Sequence, residues 1–246
     1  MENGEKSFHK IFDLLELIGE GRDPQPVKML ASRLGLPEST VYRILKFLAR
    51  RGYVERTPSG FFLGGSCLRL GAMAQEQNIL SRIARPVLGK LADDTLETVH
   101  LARLQGTHIV YIDKIEGVRS IRMGSMIGLA SPLHCTGIGK AMLAFMEKSE
   151  QAEILPLLSY ERFTDNTFCD AESLGRELER IRERGYAIDD CEHEIGVYCI
   201  AAAVLDRRGR AAAGISISGS SIYLKPHTAA LAEKVCAAAA AISAKL

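Results

Sequence analysis

The sequence predicts an α+β protein. A winged helix-turn-helix spans residues 1–65, a linker helix spans 66–79, and a larger domain over 80–246 carries an antiparallel sheet flanked by helices. Three observations predict this. Apolar stripes with helical spacing follow one another three times before Gly52. Two short strand-like runs around a Thr57-Pro58-Ser59-Gly60 turn come directly after them. Farther on, strand-like runs come in pairs joined by short polar turns, with helical stretches between the pairs, a pattern that favours an antiparallel sheet over strict βαβ alternation.

The first helix follows from Phe8, Ile11, Phe12, Leu14, Leu15 and Ile18, and Gly19, Gly21, Pro24 and Pro26 end it. Val27, Leu30, Ala31 and Leu34 form a second, shorter stripe that stops at Gly35. The third begins around Pro37-Glu38-Ser39, carries Val41, Ile44, Leu45 and Leu48 on its apolar side, and ends at Gly52. A connection of a few residues containing glycine between the second and third helices is what a helix-turn-helix requires. On the other side of the third helix lie Ser39, Thr40, Tyr42, Arg43 and Lys46, hydroxyls and cations suited to base edges and phosphates. The following hairpin reads as a wing. Arg56 at its shoulder is placed for phosphate or the minor groove, and Ser59 in its turn is a further candidate contact. The competing reading of this segment is a small helical module for protein contacts.

Beyond the hairpin, Leu68, Leu70, Met73, Ile79, Ile83 and Val87 predict helices interrupted near Pro86. A helical linker transmits orientation and is a candidate dimer contact, whereas its plainer reading is a connecting helix. The C-terminal part predicts strands over 98–104 and 108–115, and over 199–205 and 211–218. Helices are predicted over 138–147, 151–158 and 172–184, and an Ala-rich helix over 226–244.

Composition sets the class. Of 246 residues, 47% are apolar and 25% charged, ordinary globular usage. No apolar run approaches the roughly 18 residues of a membrane span, and the polar start lacks the apolar core of a signal peptide, so a cytoplasmic location is expected. Cys67, Cys135, Cys169, Cys191, Cys199 and Cys236 are scattered without a CxxC pair, which predicts reduced thiols and no structural zinc. Net charge is only +1, but Arg43, Lys46, Arg50, Arg51 and Arg56 stand against a single acid, Glu55. A local positive face is enough for phosphate contacts.

Candidate chemistry gathers in three patches. Ser131 to Lys140 places glycines and a hydroxyl at a helix start, which leaves backbone N–H groups free for an anion, although the spacing is not that of a P-loop. The second patch runs from Gly185 through Asp189, Asp190 and His193 to Cys199. In the third, Ser216 and Ser218 fall on one face of a strand, either lining a polar pocket or meeting solvent.

Taken in order, LASRLGLPESTVYRILKFLARRGYVERTPSGFFLG, LHCTGIGKAMLAF, RGYAIDDCEHEIGVYCIAAAVLD and AGISISG resemble the IclR family of bacterial transcriptional regulators over nearly the whole chain. The resemblance implies a winged-helix DNA-binding domain, a GAF-like effector domain, and dimers or tetramers on palindromic operators in double-stranded DNA. It implies a small-molecule effector, an organic acid or related metabolite, and no cofactor, resident metal or catalytic residue. It places the effector among Gly137, Ile138, Asp189, Cys199, Ser216 and Ser218. Two departures stand out: Cys191 occupies a position where an acid is common, and Ile138 is bulkier than the usual small residue and narrows the expected pocket. For Asp189, accepting from an effector hydroxyl and being satisfied by backbone remain open.

Three rival functions are weighed. A thiol enzyme would need a base beside Cys135 or Cys199 and a lowered thiol pKa. A metal sensor would need His134, Cys135, Cys191, His193 and Cys199 to gather in space. The third rival is a DNA-binding protein without an effector.

Overall fold

The computed structural model describes residues 2–119 and 124–246, in two compact units, one ending at Gln77 and the other starting at Asn78. In the first unit, α1 (Glu2–Glu20), α2 (Val27–Leu34) and α3 (Glu38–Arg50) bury Leu14, Ile18, Leu30, Val41 and Leu45 against one another. Gly35 adopts φ 61°, the left-handed conformation in which α2 can end, and the N–H of Leu36 donates back to Ala31 O at 3.0 Å. Pro37 is extended and opens α3. The three residues between the helices therefore make a tight turn with one helix closed and the next begun.

Strand β1 (Val54–Arg56) pairs antiparallel with β2 (Phe61–Leu63), and Phe61 also exchanges two backbone hydrogen bonds with Gln25, at 2.7 and 3.0 Å. A Cβ on Gly60 would stand 2.5 Å from the Gln25 carbonyl, so only glycine lets the hairpin close onto this segment. Helix α4 (Gly65–Glu76) follows, and none of its residues is buried.

The second unit is built on an antiparallel sheet of six strands among the described residues, in the order β5-β4-β3-β8-β7-β6. The strands are β3 (Thr98–Gln105), β4 (His108–Ile115), β5 (Ala130–Pro132), β6 (Ala187–Asp190), β7 (Val197–Leu205) and β8 (Ala211–Ser220). Alternation along the strands divides the faces. Val99, Leu101, Ile215 and Ile217 pack with α5 (Ile79–Thr95) and α10 (Thr228–Ser243). Ala102, Ile109, Ala187 and Ala201 pack with α6 (Gly137–Ala144) and α8 (Ala171–Arg184). Helices α7 (Lys148–Ile154) and α9 (Ser221–Leu224) are short connectors.

Several predicted boundaries are corrected. Helix α5 runs through Pro86 instead of breaking there. The proline removes one intrahelical bond, but Pro86 and Arg82, whose carbonyl loses its partner, are both exposed to water, while Leu80, Ala84, Leu88 and Leu91 hold the helix on the sheet. Helix α6 stops at Ala144, short of the predicted 147, where Arg182 takes the carbonyls of Ala144 and Met146. The helix predicted over 151–158 gives way at Leu155 to a 3-10 turn containing Pro156. Strands β5 and β6, three and four residues long, are too short to show an alternation of their own.

Candidate functional site

The head presents a surface built by α3 and the hairpin. The apolar residues Val41, Leu45 and Leu48 point inward, which leaves Ser39, Tyr42, Arg43 and Lys46 exposed and Thr40 half-buried. Arg56 reaches from β1 to α3, with Nη1 3.4 Å from the Tyr42 hydroxyl and the guanidinium 6.0 Å from the ring centroid. Ser59 stands exposed in the hairpin turn, 3.1 Å from Thr57 Oγ1, while Thr57 itself exchanges bonds with Gly60. All seven candidate DNA contacts thus belong to one unit, and the hairpin cation rests on the helix aromatic.

In the second unit the strand registers gather the other candidates. Asp189 pairs with Cys199, Cys199 with Ser218, and Ser216 with both Ala201 and His100. Paired residues share a face, so this row of polar side chains crosses the α6 side of the sheet. Over one end of that face the residues are small. Gly137 approaches Ala201, and a Cβ on Gly214 would meet Ile138 Cγ2 at 2.6 Å, so α6 lies directly on the strands there. Where Ser216, Ser218 and His100 take over, a cavity of about 260 Å³ opens. Gly137, Ile138, Asp189, Cys199, Ser216 and Ser218 all line it. Ile138 both closes one wall and packs against Gly214, so its bulk is shared between pocket and core.

The start of α6 gives this cavity its character. Thr136 Oγ1 accepts the N–H of Gly139, and Lys140 N–H reaches Thr136 O, so the amides of Gly137 and Ile138 are the ones a helix start leaves without intrahelical partners. Such amides favour an anion. Around them stand polar groups that are neutral, His100 and Tyr111, and two carboxyls, Asp189 and Glu194. Burial, helped by the charge of Lys114, pushes His100 down to about 3, so it is an uncharged imidazole at neutral pH. Its Nδ1 stands 3.4 Å from Ser216 Oγ and 3.3 Å from Ser218 Oγ, and its Nε2 stands 2.7 Å from Ser125 Oγ. Burial raises Tyr111 to about 12.

Asp189 has a structural partner: Oδ1 accepts the N–H of Glu192 at 2.7 Å. Burial raises its carboxyl to about 6 against the pull of Lys140. Beside it Lys140, fully buried, donates to Glu192 and lies 4.9 Å from the Phe168 ring centroid. Glu192 Oε2 has no partner, and burial lifts that carboxyl to about 7. Burial likewise pushes the Cys199 and Cys135 thiols well up, which leaves both protonated and unsuited to nucleophilic attack. Cys191 sits at φ 58° in the turn after β6, where its carbonyl accepts from Thr164 Oγ1 at 2.7 Å. Among the described residues no group of three His, Cys, Asp or Glu side chains is arranged to hold a metal ion.

His100, Tyr111 and Ser125 escaped the sequence reading. The alternation of Thr98 and His100 with Val99 and Leu101 was a usable signal that one face of β3 is polar. Ser125 follows no such pattern and comes to His100 only through the loop after β4.

A helix-turn-helix head joined to a domain with a partly open pocket lined by apolar surface and a few convergent polar groups defines a ligand-responsive DNA-binding regulator. The family profile described as bacterial transcriptional regulator IclR C-terminal matches residues 72–244, and that of the IclR helix-turn-helix domain matches residues 7–58. The chain belongs to the IclR family of bacterial transcriptional regulators. It is similar to the HTH-type transcriptional regulator KdgR of Escherichia coli (strain K12), 39% identical over 214 residues, which cover 86% of this chain and 81% of KdgR. It is also similar to the HTH-type transcriptional regulator BhcR of Paracoccus denitrificans, 35% identical over 98% of this chain and 87% of BhcR. The crystal structure of Thermotoga maritima IclR superposes with a TM-score of 0.77 at 32% identity, covering 98% of this chain and 99% of that one. KdgR and BhcR are both transcriptional regulators. No helix among the described residues is long and apolar enough to cross a membrane.

Proposed function

We propose that this regulator binds a palindromic operator through Ser39, Thr40, Tyr42, Arg43, Lys46, Arg56 and Ser59, and that a small organic acid in the 260 Å³ cavity sets its affinity for DNA. The observation that carries the reading is the start of α6, where Gly137 and Ile138, whose amides a helix start leaves without intrahelical partners, line the same cavity as Ser216 and Ser218. An acid fits these groups: its carboxylate accepts from the amides and its other oxygens bond the serine hydroxyls. Burial keeps the Cys199 thiol of this pocket protonated, which suits a binding role rather than that of a nucleophile.

The regulator acts as a dimer or tetramer, because a palindrome is read by paired heads. Leu68, Leu70 and Met73 of α4 and Phe8 and Phe12 of α1 are exposed apolar side chains that support this pairing. Action at a promoter places the protein in the cytoplasm.

A thermal-shift screen of the full chain against small mono- and dicarboxylic acids, with neutral alcohols and sugars beside them, tests the ligand class. A saturable rise in Tm is expected for one or more acids, and Ser218→Ala should reduce it while leaving DNA affinity without ligand unchanged. A rise with neutral compounds alone would overturn the assignment. Binding to a duplex selected from a random pool should then change when the acid is added.

A further inference from the structure

A second cavity, of about 360 Å³, opens at the other end of α6. Its wall carries three guanidinium groups: Arg182 from α8, and Arg208 and Arg210 from the turn between β7 and β8. The scaffold holds two of them in place. Arg182 Nε donates to Ala144 O at 2.8 Å and Nη2 to Met146 O at 3.1 Å, which leaves Nη1 uncommitted. Arg210 Nη2 donates to Asp206 Oδ2 at 3.2 Å. Its Nε is buried and has no partner, the only such nitrogen among the described side chains. The Arg208 guanidinium is exposed and makes no bond within the described residues.

The turn that presents Arg208 and Arg210 is itself closed. Asp206 Oδ1 accepts the backbone N–H groups of Arg208 and Arg210 at 2.8 and 3.0 Å, Gly209 adopts φ 76°, and Ala211 N–H donates to Phe145 O at 3.2 Å. Of the nearby carboxylates, Asp206 is engaged by Arg210, and Glu147 on the wall pairs with none of the three arginines. Three like charges are therefore gathered around an open space with their donors largely unspent, an arrangement that a compact anion stabilises.

We propose that this cavity binds the phosphoryl group of a phosphorylated small metabolite. A guanidinium fork matches pairs of oxygens on a tetrahedral oxyanion, and a phosphate monoester offers three terminal oxygens to three guanidinium groups, one from α8 and two from the β7–β8 turn. A carboxylate, with two oxygens, would satisfy one fork. The cavity falls within the roughly 300–1,000 Å³ range of small-molecule sites, which leaves room for more than the phosphate itself. Glu147 accepts from a hydroxyl on that remainder. The proposal is independent of the acid pocket: the two cavities lie at opposite ends of α6 and share no lining residue.

Calorimetric titration of the full chain with glycerol 3-phosphate, inorganic phosphate and glycerol, at constant ionic strength set by chloride, tests it. Saturable binding is expected for glycerol 3-phosphate, weaker binding for inorganic phosphate, and none for glycerol. Arg208→Gln and Arg210→Gln should each weaken glycerol 3-phosphate binding by about tenfold or more, the scale of one charge-assisted bond. Ser218→Ala in the other pocket should leave it unchanged. Arg208 has no partner to lose, so Arg208→Gln should keep the wild-type Tm, and a loss of binding in that variant is a loss of the site. Absence of saturable binding, or undiminished affinity in both arginine variants, would overturn the proposal. Inorganic phosphate binding as tightly as glycerol 3-phosphate would overturn the metabolite assignment.

Discussion

Arg56 on the hairpin lies against Tyr42 on α3, its guanidinium carbon 6.0 Å from the ring centroid and its Nη1 3.4 Å from the phenolic oxygen. The hydrogen bond is long, so the ring face provides most of the contact. The aromatic ring thereby aims the hairpin cation. Tyr42→Phe should keep DNA affinity within about threefold, whereas Tyr42→Ala frees Arg56 and should weaken binding by about 1 kcal/mol, the scale of an exposed cation–π contact. Fluorescence anisotropy with the selected duplex measures both. If the phenylalanine variant binds as weakly as the alanine variant, the hydroxyl rather than the ring does the work.

Arg43 and Lys46 stand on the same exposed side of α3, one turn apart, and should behave differently. Arg43→Ala is expected to lose about 1–3 kcal/mol on the selected duplex and much less on random sequence, as for a base contact. Lys46→Ala should weaken both duplexes alike and lower the salt slope by about one. Unchanged specific affinity in Arg43→Ala would displace Arg43 from the base-reading role.

Gly214 allows α6 to rest on β8. Alanine there would put its Cβ 2.6 Å from Ile138 Cγ2 and 3.2 Å from Met142 Cγ. Gly214→Ala should destabilise the protein by about 1–3 kcal/mol in urea unfolding, the usual range for overpacking. Adding Ile138→Ala removes the methyl it strikes, so the double variant should lose less than the sum of the two single changes. Simple additivity would mean that α6 is free to lift.

Asp189 links pocket charge to pH. Burial raises its folded carboxyl to about 6, above the ordinary 3.8 of an aspartate. Between these two values the folded state binds more protons than the unfolded state, so this group lowers stability as pH rises through the window and keeps it lowered above. Asp189→Asn removes the titration and retains an oxygen for the Glu192 N–H. The stability of Asp189→Asn relative to wild type should therefore rise by about 1 kcal/mol per pH unit between pH 4 and 6, then level off. Urea melts across pH 4–8 measure this. Parallel curves for the two proteins would show that Asp189 titrates as an ordinary exposed carboxyl. Glu192, raised chiefly by burial, is pushed up further by Asp189, so removing that charge also eases Glu192 ionisation and adds to the difference in the same direction.

How far the residues could be read depended on the range of the signal. The stripe Val41, Leu45, Leu48 and its exposed counterpart Ser39, Tyr42, Arg43, Lys46 follow from helical spacing alone. Ser216 and Ser218 were placed on one face by the two-residue period of a strand. Pro86 misled because a local rule about helices was overridden by packing on the sheet. His100 was missed because nothing near residue 100 reports that β3 pairs with β8, more than a hundred positions away.

By itself the sequence determined the two-part organisation, the helix-turn-helix, the paired strands and the glycine-bearing start of α6, because each is written in spacings of two to four residues or in a glycine that a turn requires. Only the tertiary structure decided which polar side chains share a cavity. The strand order laid Asp189, Cys199, Ser218 and His100 across one sheet face, and the end of α6 brought Arg182 to Arg208 and Arg210. The physical reason is that local conformation follows from neighbours along the chain, whereas burial, pKa and the company of like charges follow from neighbours in space.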